Sequence, residues 1–580
     1  MKQLENFVYD TLQHPKKKLK VILITALAFF GSLLMFPSKM VLAKMLPGKS
    51  DNTFSVYVDT PTGSSIEQTK KVTSCVVDRL IQEKEVLNVS LFLGHGIPLD
   101  YAGLVKGASM KMSEDVAEIS VNLTDKHSRD EPSFLMTQRL RPELNKLCSP
   151  LVKGSKIKMI EQPAGPPTLA SIVVEVHGDD TEKTREISVR VANVLAQTEG
   201  LVDVDMMLDD IYTKYELIPD KEKIARSGLA IAQVNQILYL AFEGMVIASK
   251  NSANDADQIG IFLVLSDETK KLASNNKDAL QSKLSSLNLM NQRGMMVPLS
   301  EVVTIKEAKS LPMIMHKNLK RMVNVIAETD MVSQVYPLLA ARDELKKAFA
   351  HDFEVQPVAG ITTYMFDLEL FDKKTGAKYL LRWDGEMKVT LDTFRDLGGA
   401  FIAALILIFL LLVVYYKSFA LSGIILLGSF LSLIGVIVGH WVANFFTDET
   451  FFLTATSLIG FIALMGISSR NSLLLIDFAK SLIDEHCMEK RRAIAVAAAT
   501  RAKPIMLTAV AIILGSALLA SDPVFGGLGV ALISGTVAAV FVSLLFIPIL
   551  MDNTKAMDPV TDEDGDCHKN FDREHISITR

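Results

Sequence analysis

The arrangement of apolar runs constrains this chain more than any other feature. Runs of membrane length occur at about 21 to 37, 398 to 416, 420 to 445, 451 to 476, 504 to 520 and 527 to 550, most of them rich in Leu, Ile, Val, Ala and Phe. One span, a long polar gap and five more spans predict a helical membrane bundle carrying a large domain outside it. A hydrophobic content of 49% over 580 residues, more than a soluble core needs, agrees with this. The first run follows "HPKKKLK", as in a signal peptide, but no clear small-residue cleavage site comes after it. Val21 to Pro37 is therefore read as a retained helix.

Basic residues orient the bundle. Lys16, Lys17, Lys18 and Lys20 precede span one, Lys417 separates spans two and three, and Lys490, Arg491, Arg492, Arg501 and Lys503 lie between spans four and five. All fall on one side, which the positive-inside rule assigns to the cytoplasm. Residues of about 40 to 395 then lie outside it, and the polar, acidic tail from about 551 is expected to be a disordered cytoplasmic end. The net charge of -5 leaves no footprint for nucleic acid, and no P-loop or G-x-G-x-x-G is present to hold a nucleotide. The four cysteines, Cys75, Cys148, Cys487 and Cys567, are far apart without C-x-x-C spacing, so lone thiols are expected and neither a zinc site nor a disulfide framework is signalled. No cofactor is expected.

The external region repeats a pattern. Strand-like "FSVYVD" leads through a helix at about 65 to 84 to "VLNVSLFL", and "VAEISVNL" through a helix at about 133 to 147 to "SKIKMIEQ". A second set runs from "SIVVEVHG" through a helix at 181 to 198 to "GLVDVDMML", and is completed by "RMVNVIAE", a helix at 333 to 350 and "FEVQPVAG". Two split βαβ subdomains are predicted. Residues 209 to 320 interrupt the second, with a helix at "AIAQVNQILYLAF" and a hairpin near 244 to 260, and form a third subdomain.

With these motifs in this order the chain resembles the resistance-nodulation-division (RND) permeases, specifically the C-terminal half of the acriflavine-resistance type. The resemblance rests on "KMLPGKSDNTFSVYVDTPTGSS", "QPAGPPTLASIVVEVHG", "WDGEMKVTLDTFRDLGGAF", "TATSLIGFIALMGISSRNSLLLIDF" and "RAKPIMLTAVAIILG". It implies a membrane α-helical bundle of six transmembrane helices, one plus five, with an α+β periplasmic domain. That domain comprises a first ferredoxin-like porter subdomain at 40 to 161, a second at 162 to 208 and 321 to 372, and a docking subdomain at 209 to 320. The resemblance also implies a Gram-negative inner-membrane location, a trimeric assembly, a periplasmic adaptor and an outer-membrane channel.

Within span four stands "GISSRNSLLLIDFAK". An arginine at the centre of a membrane helix costs about 2.5–3.5 kcal/mol on insertion scales, so Arg470 is expected to face the bundle interior and a partner and not lipid. Snorkelling is disfavoured, since Lys480 lies ten residues on, about 15 Å at the helical rise. In the family a cation here, more often lysine, pairs with two carboxylates of the N-terminal half and responds as they exchange protons. Arginine would be a fixed counter-ion. By the same resemblance Thr508 lines the relay and Arg501 sits near its cytoplasmic mouth, while Asn471 adds a neutral donor. Asp477, seven residues on, shares the face of Arg470 and is either a proton-path group or an interface residue. No other acidic residue lies deep in a span, so the titrating carboxylates are expected on a second polypeptide, an N-terminal-half RND chain.

The loop at 93 to 107, with Gly94, Gly96, Tyr101, Gly103 and Leu104, matches a family loop on the substrate path; glycine spacing alone reads as a connector. Met110, Met112, Met313 and Met315 invite a copper reading, but gap-filling is preferred. The favoured function is proton-driven export of amphiphilic small molecules such as drugs, dyes and detergents. The alternatives are a protein-export accessory of the SecD/SecF type, with the same one-plus-five spans, and a truncated inactive remnant.

Overall fold

The computed structural model describes the chain apart from residues 1, 49, 99–100, 108–110, 163–164, 166, 254–256, 267–268, 270–271, 273–275, 330–332, 359–365, 448–450 and 559–580. Most of the expected tail, Cys567 and Met110 thus lie outside the described residues. In the external region β1 (Thr53–Asp59), β2 (Val86–His95), β3 (Met112–Leu123) and β4 (Lys156–Glu161) form an antiparallel sheet in the order β2-β3-β1-β4. The helices Ile66–Leu80 and Ser133–Leu147 cover one face. Alternation decides which: Phe54, Val56, Val58, Ile157 and Met159 point into the core, while Tyr57, Asp59 and Lys158 point away from it.

The second subdomain is built on β5 (Ile172–His177) and β6 (Leu201–Met207), and its chain returns after the insertion. It is larger than the expected four strands. The insertion holds β7 (Thr213–Pro219), the hairpin of β8 (Met245–Lys250) with β9 (Ile259–Leu263), the short pair β10 (Asn288–Met290) and β11 (Met296–Pro298), and β12 (Val303–Lys309) paired with β7. Then come β13 (Met315–Lys317), β14 (Lys320–Thr329), β15 (Phe353–Pro357), β16 (Leu368–Asp372) and β17 (Lys378–Asp384). The sheet order is β13-β14-β5-β17-β16-β15, with β6 also beside β14.

Two boundaries move as a result. Residues 315 to 320 belong to this sheet, because Met315–Lys317 folds back on Lys320–Met322 through a turn with Asn318 and Leu319 both left-handed. The insertion, Leu208–Ile314, is a compact unit of its own. The subdomain also runs past 372 to Asp384, since Tyr379, Leu381 and Trp383 alternate into its core.

The membrane region has, among the described residues, five helices long and apolar enough to cross a bilayer: Glu386–Tyr416, Phe419–Ala443, Ala455–Asp484, Lys490–Ala520 and Gly526–Asn553. Several extend beyond the apolar runs. Lys490 to Lys503, read as a connecting segment, are the first turns of the Lys490–Ala520 helix, for helical hydrogen bonds continue through the Ala-rich stretch once water is available. The first run lies mostly in Pro15–Leu34, a helix whose first turns carry Lys16, Lys17, Lys18 and Lys20 and which ends before Pro37. An amphipathic helix precedes it, Lys2–Gln13. It buries Val8 and Leu12 against the bundle and is tied down by Arg492 to Glu5 at 2.8 Å.

Lone thiols are the default from spacing, with the pairing of Cys75 and Cys148 left open by the sequence; the two form a disulfide within the first subdomain. They lie 73 residues apart in sequence, and only the packing of the Ile66–Leu80 helix beside the end of Ser133–Leu147 brings them together. Peptide mapping without reductant should recover these two cysteines in one peptide. Replacing both by Ala should destabilise the external domain by about 2–4 kcal/mol in a chemical denaturation series.

Asp367 supplies a pH test in the second subdomain. Burial pushes its carboxyl up to about 6, although it accepts from the Trp383 amide at 3.0 Å and lies 3.7 Å from the Arg382 guanidinium. An unfolded Asp ionises near ~4. The folded state therefore holds a proton that the unfolded state has released between the two values, and this stabilising effect is full below ~4 and lost as pH rises through about 6. Asp367→Asn keeps an acceptor for Trp383, so its melting temperature should exceed that of the parent at pH 7.5 and approach it at pH 4.

Candidate functional site

Ala455–Asp484 carries most of the candidate membrane residues. Thr454 caps its N-terminus by accepting from the Ser457 amide, and the Thr454 amide donates to Ser457 Oγ at 3.0 Å. One side of the helix is packed through small residues, including Gly460, Ser468 and Ser472, and Ser469 shares a 2.9 Å hydrogen bond with Ser429. The opposite side is open. Ile459, Ala463, Gly466, Arg470 and Leu474 make an exposed stripe at helical spacing.

Arg470 stands near the midpoint of this 30-residue helix, ~22 Å from either end at the helical rise. Among the described residues no hydrogen bond or ion pair reaches its guanidinium. Asn471 is only 4% exposed and faces the packed side, so the two neighbours occupy different surroundings. Asp477 accepts from Tyr416 Oη at 2.6 Å and from Tyr415 Oη at 3.4 Å, both from the end of Glu386–Tyr416. Arg501 lies over the Phe478 ring at 4.8 Å, and the Thr508 hydroxyl donates to Ile505 O at 2.9 Å and Pro504 O at 3.1 Å in its own helix. Arg501 is thus brought beside the turn holding Asp477, but no hydrogen bond among the described residues joins these two or links either to Arg470. The tyrosines were not anticipated; a Tyr-Tyr pair ending an aliphatic run just before Lys417 was the available signal.

The loop after β2 is more than a connector. Gly94 is left-handed, with φ 75°, and a Cβ there would meet Ile66 Cδ1 at 3.3 Å. The Ile97 amide donates to Glu118 Oε2 at 2.8 Å, and a short helix follows, Tyr101–Lys106, with Gly103 buried and Leu104 67% exposed. The Tyr101 side chain is outside the description. Lys106 reaches the second subdomain, donating to Glu328 at 2.7 Å and Leu169 O at 2.8 Å. Met112 and Met313 are exposed.

Comparison with known proteins places this arrangement. A family model described as the AcrB/AcrD/AcrF family matches residues 2–359 and 369–552. This chain belongs to that family of RND permeases. It is 23% identical over 537 residues to the swarming motility protein SwrC of Bacillus subtilis and 22% identical over 537 residues to the multidrug export protein AcrF of Escherichia coli. These alignments cover 91% of the chain in each case, and 45% and 47% of the relatives. The cobalt-zinc-cadmium resistance protein CzcA of Cupriavidus metallidurans is 24% identical over 395 residues, 66% of the chain and 33% of the relative. Among solved structures, a heavy metal efflux pump superposes with a TM-score of 0.69 at 18% identity, over 94% of this chain and 51% of that one. The AcrB/AcrD/AcrF-type chain therefore has the RND pump fold and spans about half the length of the relatives it matches.

Because its hydroxyl is absorbed by its own backbone, Thr508→Ala should change detergent-solubilised stability by no more than ~0.5 kcal/mol. Tyr416→Phe, which removes a donor to a carboxylate, should cost about 1.5 kcal/mol in the same thermal-shift series. The reverse order would mean that Thr508 bonds elsewhere.

Proposed function

We propose that this chain is one half of a proton-driven export permease and works with an N-terminal-half RND polypeptide that carries the intramembrane carboxylates. The observation that carries the reading is Arg470: a mid-span cation on an exposed stripe with no partner among the described residues. Hydrocarbon is a costly surrounding for it, so that stripe is an interface, and the carboxylates of the second polypeptide complete it. Arginine keeps its charge throughout, so it acts as the fixed counter-ion while the partner carboxylates take up and release protons. Arg501, Thr508 and Asp477 are assigned to the same relay, whereas Asn471, on the packed side of the helix, is not.

Pro15–Leu34 supplies a sixth span, and the 1+5 bundle sits in a Gram-negative inner membrane with the external domain in the periplasm. The Cys75–Cys148 disulfide supports an oxidising surround for that domain. The two ferredoxin-like subdomains act as porter subdomains over amphiphilic drugs, dyes and detergents, with Gly94, Gly96, Tyr101, Gly103 and Leu104 on the substrate path. Alignment with a multidrug exporter over 91% of the chain favours amphiphiles over metal ions, whose CzcA relative aligns over 66%. The insertion is a docking subdomain for a trimer, a periplasmic adaptor and an outer-membrane channel.

The test is proton-driven dye efflux from vesicles containing this chain and its partner, normalised to membrane protein level. Arg470→Ala should lower the rate ~10-fold or more, because two close carboxylates without a counter-charge raise each other's proton affinity. Arg470→Lys should keep partial activity. The chain by itself should export nothing. Wild-type efflux from Arg470→Ala, or proton-dependent efflux from the lone chain, would end this reading.

A further inference from the structure

The side of Ala455–Asp484 that turns away from Arg470 carries polar groups of a different kind. Ser468 and Ser472 flank Arg470 in sequence, and at about 100° per residue both fall on the far face of the helix at the same depth. They are fully buried, as are Thr536 and Ser543 of the last span. The hydroxyls of all four meet no hydrogen-bonding group among the described residues. A serine in a membrane helix ordinarily donates to the carbonyl one turn back. Nearby serines do so: Ser429 donates to Ile425 O at 3.0 Å, Ser469 to Met465 O at 2.7 Å and Ser534 to Val530 O at 2.6 Å. The four unpaired hydroxyls are therefore turned off their own backbones and toward the space between helices.

Packing brings them to one level. A Cβ at Gly527, Gly460 or Gly535 would run into Ser457, Ala531 or Leu464 respectively, so Ala455–Asp484 and Gly526–Asn553 lie side by side and parallel. Carried on at the same pitch, that register sets Ser472 level with Ser543, and Ser468 between Thr536 and Ser543. Phe419–Ala443 closes the group from a third side. A Cβ at Gly428 would lie 3.7 Å from Ser472 Oγ and would overlap Ile547, one turn after Ser543.

Two of these three helices are irregular at the same level. Phe419–Ala443 is interrupted at Ser432, between Phe419–Leu431 and Leu433–Ala443. The last span widens to a π turn over Val542–Phe546, which contains Ser543. Such turns accompany functional sites and places where water enters the backbone ladder.

Four unpaired hydroxyls beside two irregular turns suit a ligand that both donates and accepts hydrogen bonds and carries no charge. A monovalent cation would need a counter-charge in this setting, yet no carboxylate of the described residues bonds these hydroxyls, and Arg470 on the same helix is itself a cation. Water meets both conditions, and makes about three hydrogen bonds when buried. We propose that Ser468, Ser472, Thr536 and Ser543 form a water-binding site at mid-membrane depth, in which ordered water joins three helices through these hydroxyls. The site goes beyond the export reading and does not depend on it, because it lies on the side of the helix away from Arg470 and needs no second polypeptide.

The test uses the full chain in nanodiscs. Synchrotron X-ray pulses split bound water in place, and the radical formed oxidises the side chains beside it. Met465, buried one turn before Ser469, is the reporter. It should be oxidised in the parent, and ~5-fold or more slowly in Ser472→Ala/Ser543→Ala, which lacks two of the groups that hold water. The two single variants give a second measure if the double variant does not fold. A dry hydroxyl is relieved by alanine, which would leave the melting temperature level or raise it; a hydrated one loses its bond to water, so the melting temperature should fall. Ser534→Ala, whose hydroxyl is absorbed by its own backbone, is the control and should leave it unchanged. Sodium chloride and choline chloride at equal ionic strength should give the parent the same melting temperature. Three results would each overturn the site: Met465 oxidation unchanged in the double variant, melting at or above the parent in both single variants, or stabilisation by sodium that the alanine variants lose. Because no transport is measured, each of them would leave the Arg470 reading standing, and inactive Arg470 variants would leave the water site standing.

Discussion

A charge placed in hydrocarbon must be covered, and much of this molecule follows from how one such charge is handled. Ala455–Asp484 buries its Ser- and Gly-rich side against its neighbours and leaves the Arg470 stripe outside the packing. Close approach of small residues gives the bundle its cohesion where the hydrophobic effect is absent; a Cβ on Gly535, for example, would overlap Leu464 at 2.1 Å. The open stripe is flanked by exposed aliphatics and centred on a guanidinium.

The external domain manages charge differently. There, buried acids are matched by bases within the same chain. Burial pushes the Asp59 carboxyl up, but Lys158 and Lys111 outweigh it and hold the group down at about 2. Glu328 is likewise held below the usual carboxylate range against its burial by Lys106 and by the Ser171 hydroxyl and amide. Glu161 and Asp203 lie above that range because desolvation outweighs their partners. The groups that join the subdomains are thus held by paired charges, whereas each subdomain is held by its own apolar core.

Much of this was legible in the residues. The helices at Ser133–Leu147 and Thr181–Gln197 and strands β1, β4 and β5 lie where periodicity put them, because each has one apolar face and clear turn chemistry at its ends. Arg470, expected toward the bundle interior, instead lies on the exposed stripe of its helix. What was not legible depended on contacts between distant segments. The Lys2–Gln13 helix is amphipathic but short, and only packing on the bundle gives it a reason to form. The strands β16 and β17 lie just before a membrane span, and their alternation matters only once β17 pairs with β5.

By itself, the sequence determined the membrane class, the order of apolar runs and the place of the insertion, because hydropathy and periodicity are local properties of the chain. The tertiary structure alone decided that Cys75 meets Cys148, that Tyr416 rather than Arg470 or Arg501 binds Asp477, and that Lys106 of the first subdomain reaches Glu328 of the second. The physical reason is the same in each case. A disulfide, a hydrogen bond and an ion pair act over a few ångströms between residues tens to hundreds of positions apart, and only the folded path of the chain sets which of them come that close.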